Sequence, residues 1–175
     1  MLQHIRLSRV NRIYRAVWRI FGVPFFRCSP VIFFSFRRVI LSIFGAKLTS
    51  TSYVYPDVEI WSPANLQMGR NSVLAPKCYV YNVHPIILGD NVTVSQFSKL
   101  ITASHDYGSL DLPLVAARIE LREFSWVTAN VTIGPGVVIG EGAVVLTGSV
   151  VVKDLMDWRV YGGNPARFIK MRIIK

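Results

Sequence analysis

From about residue 54 onward an aliphatic side chain returns at every sixth position. In the C-terminal half the hexads LREFSW, VTANVT, IGPGVV, IGEGAV, VLTGSV and VVKDLM open at Leu121, Val127, Ile133, Ile139, Val145 and Val151. Upstream, Leu88, Val94 and Leu100 open three more, and Met68, Leu74 and Val80 another three. The fifth positions (Ser125, Val131, Val137, Ala143, Ser149, Leu155) are mostly small or β-branched. A period of six fits neither an amphipathic helix nor a simple alternating strand. It fits a solenoid of short strands and turns, in which no coil can bury its apolar edge alone. Glycine at the second position (Gly69, Gly89, Gly134, Gly140) relieves crowding where the chain turns.

The pattern breaks twice. Val80 and Leu88 are eight residues apart, two too many. Leu100 and Leu121 are 21 apart, and the register is lost through 106–118. Excess chain must leave a solenoid as a loop, and such loops commonly carry function. At this exit the sequence reads SHDY, with His105 in the last position of its hexad and Asp106 after it. Imidazole exchanges protons near neutrality and is a common general base. Asp106 could orient that ring, contact a substrate or cap a turn.

Before the solenoid the pattern is helical. Residues 10–45 read as helices, with Ile13, Val17, Ile20 and Phe21 on one face and Arg12, Arg15 and Arg19 mostly elsewhere. Pro24 and Pro30 punctuate the segment, and a second helix over 31–44 ends at Gly45. The expected organisation is a basic apolar helical extension (1–50), a solenoid (54–170) and a basic tail (171–175).

Charge changes the picture only at the N-terminus. The formal net charge of the 175 residues is +10, yet residues 1–50 hold nine Lys/Arg and no acid. Elsewhere eleven bases face ten acids. Cations among exposed aromatics and aliphatics suit a membrane surface, so residues 1–47 are candidates for peripheral membrane contact; a helical cap on the main domain is a compatible reading. No recognised motif accompanies the charge, so nucleic acid is not expected as a partner. No uncharged apolar run reaches the length of a spanning helix. Cys28 and Cys78 make no disulfide framework, and a reduced cytoplasmic protein is expected.

The hexads, together with SHDY, SWVTANVTIGPGVVIGEGAVV and GGNPARFIK, resemble the hexapeptide-repeat acyltransferases over residues 54–170. YPDVEIWSPANLQMG, CYVYNV and the basic extension make the chain most similar to the colanic-acid-biosynthesis type, and more distantly to galactoside and maltose acetyltransferases. The resemblance implies a mainly β fold: a left-handed parallel β-helix with an N-terminal helical extension and a loop protruding near 106–118. It implies acetyl-CoA as donor, a sugar or glycan hydroxyl of cell-surface polysaccharide as acceptor, a homotrimer, and work in the cytoplasm at the inner face of the membrane. His105 matches the catalytic base, acting by direct transfer without an acyl-enzyme. Asn82 matches an acceptor-contacting asparagine. His84 is a second candidate there, though similar sequences often carry an acid at its position. Trp126 matches a tryptophan bordering the pantetheine arm, and the small residues Ala129, Gly148 and Gly162-Gly163 would let that arm approach the backbone. Arg167, Lys170 and Lys153 are candidates for the coenzyme A phosphates. No metal is expected. A zinc enzyme of carbonic-anhydrase type would need three converging ligands, and the only histidines are His4, His84 and His105. A non-catalytic binding or scaffold solenoid is the remaining alternative.

Overall fold

Stacked aliphatics set the architecture. In the computed structural model, which describes residues 2–174, the chain winds into a parallel β-helix of about six turns with three faces. The first face stacks Lys47–Leu48, Leu66–Met68, Ile86–Leu88, Ile119–Leu121 and Val138–Ile139. The second stacks Tyr53–Val54, Val73–Leu74, Thr93–Val94, Trp126–Val127, Val144–Val145 and Arg159–Gly162. The third stacks Glu59–Ile60, Tyr79–Tyr81, Lys99–Ile101, Thr132–Ile133 and Val150–Val151. Leu88 pairs with Leu121 and Leu121 with Ile139; Val94, Val127 and Val145 align likewise, as do Val80, Leu100, Ile133 and Val151. All of these residues are buried, as are the fifth-position residues from Ser125 to Leu155. Burying each aliphatic is worth about 1.5–3 kcal/mol, which makes a narrow core sufficient.

The coils begin earlier than the hexads show, at Lys47–Leu48. Where chain turns between faces, backbones approach closely. A Cβ on Gly140 would lie 2.7 Å from the Leu155 carbonyl oxygen and 2.6 Å from the Asp157 nitrogen. Crowding, not a left-handed backbone, explains this glycine.

The helices are α1 (Arg9–Val17), α2 (Val23–Arg27) and α3 (Phe34–Ile43). A wide turn over Trp18–Gly22 joins α1 to α2, so Pro24 falls at a helix start rather than a break. Gly22 lies against the Trp18 ring, where no side chain fits. Residues 1–50 are not a loose appendage. Trp18, Phe26, Ile40 and Leu41 belong to the same hydrophobic cluster as the stacked aliphatics, and Trp18 Nε1 donates to the Ile60 carbonyl at 2.9 Å. The layer covers the first coil, whose edge would otherwise stay open. Arg37, one of the nine bases of this segment, is fully buried. Its guanidinium donates to the Val54 carbonyl (2.7 Å), the Ser29 hydroxyl (2.9 Å) and the Pro30 carbonyl (2.8 Å), tying the α2–α3 loop to the solenoid. Burial lowers its pKa from the usual arginine value. At the other end Arg167–Met171 folds back antiparallel on Arg159–Gly162, and Arg172 donates to the Phe124 and Gly142 carbonyls.

Gly140→Ala is expected to destabilise the protein by about 1–3 kcal/mol, because a methyl must displace backbone atoms of the next coil. Denaturant unfolding of the variant beside the parent checks this.

Candidate active site

All the excess residues emerge at one corner, between the third and first faces. On the lowest coil the corner holds Pro63–Asn65, on the next Asn82–Pro85, and on the third the segment after Thr102. These levels are bonded to one another. Asn82 is fully buried: its Oδ1 accepts from Ser62 N–H (2.9 Å) and its Nδ2 donates to the Ser62 carbonyl (2.7 Å). Asn65 Nδ2 donates to the carbonyls of Asn82 and Val83. The Thr102 hydroxyl donates to the Tyr81 carbonyl (2.9 Å) and accepts from His84 N–H (3.0 Å). The carboxamide for which an acceptor contact is expected thus bonds the corner through both ends and presents no surface in the single chain.

Above this base a hairpin leaves the prism. Ala103–His105 pairs antiparallel with Leu114–Ala116, so part of the segment 106–118 is a return strand rather than loop. His105 is exposed, and its Nδ1 lies 2.5 Å from the Leu112 carbonyl oxygen. A carbonyl only accepts, so Nδ1 carries a proton, and in the neutral ring Nε2 is then the acceptor. Among the described residues Nε2 has no hydrogen-bond partner. Asp106 does not orient the ring. Its Oδ1 accepts from Gly108 N–H at 2.9 Å and its own N–H donates to the Pro113 carbonyl, which makes it the turn cap of the hairpin.

Sequence reasoning missed the brace on this hairpin. Gln3–His4 adds a third antiparallel strand against Leu114–Ala116, and Ile5 N–H donates to the Leu114 carbonyl at 2.9 Å. Two residues carry no periodic signal, so nothing in the sequence marked them. It also missed an aromatic platform. The outward positions flanking buried Val80 are Tyr79 and Tyr81, whose parallel rings are 6.1 Å apart. Trp61 meets Tyr81 edge-on at 5.8 Å, and the Arg15 guanidinium lies 4.2 Å over the Trp61 ring. Alternation about Val80 was the signal available for both tyrosines. Below them a groove of about 370 Å³ runs between the helices and the third face, lined by Trp61, Tyr79, Glu59, Arg19 and Arg27. His84 is half-buried, with Nδ1 shut from solvent and unpartnered among the described residues. Burial, helped by nearby Arg118, lowers its pKa and favours the neutral ring.

The donor-side residues lie on another edge. Trp126 is 44% exposed on the second face, with Nε1 donating to the Ser95 hydroxyl at 3.0 Å. Ala129, Gly148 and Gly163 stack at the corner between the second and third faces: Gly148 N–H donates to the Ala129 carbonyl, and Val150 N–H to that of Gly163. Gly148 has φ +73° and open space where a Cβ would stand. Gly162, Arg167 and Lys170 follow on the terminal antiparallel pair, both basic side chains exposed. Lys153 departs from this group: it follows Val151 into the third-to-first corner, the edge that carries His105. His4 reaches the hairpin sheet, yet no group of three His, Cys, Asp or Glu among the described residues could hold a metal ion.

A triangular parallel β-helix with a histidine on a hairpin at one edge and small residues stacked on another is the arrangement that the resemblance to β-helix acyltransferases predicts. No family model matches the chain. The putative colanic acid biosynthesis acetyltransferase WcaF of Escherichia coli (strain K12) is 33% identical over 163 residues, which cover 93% of this chain and 90% of the relative. Among solved structures, a maltose O-acetyltransferase from Clostridium difficile 630 superposes with a TM-score of 0.84 at 25% identity, covering 95% of this chain and 90% of that one. A hexapeptide-repeat acetyltransferase of Vibrio cholerae O1 biovar eltor, complexed with acetyl coenzyme A, gives 0.86 at 21% identity, covering 98% and 94%. The chain belongs to the hexapeptide-repeat acetyltransferases, the left-handed β-helix family that includes these relatives. It is an acetyltransferase.

Deleting residues 2–7 removes the brace and is expected to lower kcat about tenfold or more while the bulk of the fold persists. Asp106→Asn, which keeps the turn acceptor, is expected to retain activity within about threefold. Steady-state kinetics with circular dichroism on both variants check this.

Proposed function

We propose that the protein transfers an acetyl group from acetyl-CoA to a sugar hydroxyl during assembly of a cell-surface polysaccharide, with His105 as general base. The observation that carries this reading is the Nδ1 contact of His105 with the Leu112 carbonyl, which in the neutral ring leaves Nε2 free to accept a proton, on a hairpin braced along its return strand by Gln3–His4. Nε2 takes the proton of the acceptor hydroxyl as its oxygen attacks the thioester carbonyl. The tetrahedral intermediate collapses, the carbon–sulfur bond breaks, and the imidazolium returns its proton to the departing thiolate. No covalent acyl-enzyme is required when both substrates are held together, since positioning alone supplies about 7–11 kcal/mol. Cys78 offers no competing nucleophile: burial pushes its thiol up to about 12.

The residues present fit the donor. A long narrow arm can lie along the open backbone at Gly148 and Gly163, walled by Trp126, with Arg167 and Lys170 beyond for phosphates. The acceptor sugar stacks on the platform of Trp61, Tyr79 and Tyr81, which meets the base of the hairpin through Tyr81 and Thr102. His105 and the donor groove occupy different edges of one prism, so a complete site needs two copies. Nearly full exposure of Tyr107 and Leu110 at the hairpin tip supports contact with a neighbour, and a closed homotrimer gives each edge the same environment. The enzyme works on the cytoplasmic face of the inner membrane, where acceptors are presented.

His105→Gln is expected to lower acetyl transfer by about 10²–10⁴-fold with unchanged thermal stability, read as CoA release in the presence of a surface glycan. An unchanged rate in that folded variant removes the base. Sedimentation equilibrium should give three times the chain mass, and a monomer would overturn the shared site.

A further inference from the structure

The N-terminal layer has two sides, and only one is spent on the solenoid. Its inner side buries Trp18, Phe26, Ile40 and Leu41. On the outer side of α1 and the turn after it, Val10, Ile13, Val17, Ile20 and Phe21 recur at helical spacing and all are exposed. On α3 the outer stripe is Phe36, Val39 and Ile43, the last 75% exposed, continued by Ile32 and Phe33 before the helix. Between α2 and the α3 stripe lies an apolar hollow of about 430 Å³, lined by Pro24, Phe25, Cys28, Pro30, Phe33 and Phe36. So large a contiguous apolar surface on the outside of a chain marks an interaction site.

Its charge identifies the occupant. The structure withdraws some of the nine bases from this side: Arg37 is buried, Arg15 lies on Trp61, Arg27 pairs with Glu59, and Arg38 donates to Ser52 and Ser35. Arg19 lines the groove by Tyr79, while Arg6, Arg9 and Arg12 remain exposed on and just before α1. The segment contains no acid to neutralise them. A second copy of this face would oppose base with base, which is costly. An anionic lipid surface meets both demands, since its headgroups attract the guanidinium groups and its acyl region takes up the side chains. No helix of the described residues is long and apolar enough to cross a bilayer, which leaves a helix layer lying in the interface.

We propose that the outer side of α1–α3 is a docking face for an anionic phospholipid bilayer. It deepens the proposed function by naming the surface that holds the enzyme at the membrane, yet lipid binding is read independently of acetyl transfer. Docking has a direct route to the site: α1 is preceded by the strand Gln3–His4 that braces the His105 hairpin, so the face and the brace share one continuous segment.

The test is flotation of the full-length protein with vesicles of phosphatidylcholine alone or mixed with phosphatidylglycerol. The expected result is flotation with the anionic vesicles only, reduced at least tenfold in Ile13→Ser/Phe21→Ser/Phe33→Ser and in Arg9→Glu/Arg12→Glu. Both variants change exposed residues and should keep the parent's sedimentation mass and its rate on a soluble acceptor. Failure of the parent to float overturns the proposal, and so does equal flotation of parent and variants. A fall in sedimentation mass of the apolar variant also overturns it, because the face would then be an interface between copies. Inactivity of the parent toward every acceptor, with flotation intact, would overturn the proposed function and leave the docking face standing.

Discussion

A core one side chain wide cannot absorb an extra residue within a face. Each inward aliphatic must sit on the one below it, as Leu100 sits between Val80 and Ile133. Insertions therefore collect at corners, and here they collect at a single corner on three successive levels. The lower levels are sealed by side chains that close polar contacts internally: Asn82 on Ser62, Asn65 on Asn82 and Val83, Thr102 on Tyr81. Only the third level holds enough chain to leave, and it leaves as a hairpin. The edge that carries His105 is the place where the packing rule of the scaffold forces the chain outward.

That origin explains how the histidine is held. Its ring is oriented by the Leu112 carbonyl, and the neighbouring carboxylate of Asp106 shapes the turn instead. Backbone pairing within the hairpin, and of its return strand with Gln3–His4, then fixes the geometry. A ring held by a neutral carbonyl keeps its place without a buried charge nearby, so orientation here costs no ion desolvation.

The N-terminal layer solves a second problem of solenoids, the open end. Trp18 and Arg37 pin it from within, the first through the indole N–H to Ile60 and the second through several carbonyls. Residues that look alike along the segment thus have opposite fates. Arg37 and Arg12 are both arginines of apolar helices, yet one is a buried cross-link and the other an exposed charge.

The scaffold was legible because its signal is local and repeated: every sixth side chain must be inward, whatever its distant partners are. The exit of the chain at His105 was legible for the same reason, since an interruption shows only against a period. Where the outward side chains would meet was not. Asn82 looked like an acceptor contact, but its position turns it onto Ser62, while Tyr81 beside it faces out. Lys153 belonged by charge to the donor group, and winding placed it on the other edge. Gln3–His4 became a brace only because the closed solenoid brought Leu114–Ala116 beside it. The sequence alone determined the coil, since inward burial repeats residue by residue. Tertiary structure decided which edge each side chain joins and what braces it, because those pairings link segments far apart in the chain and leave no period behind.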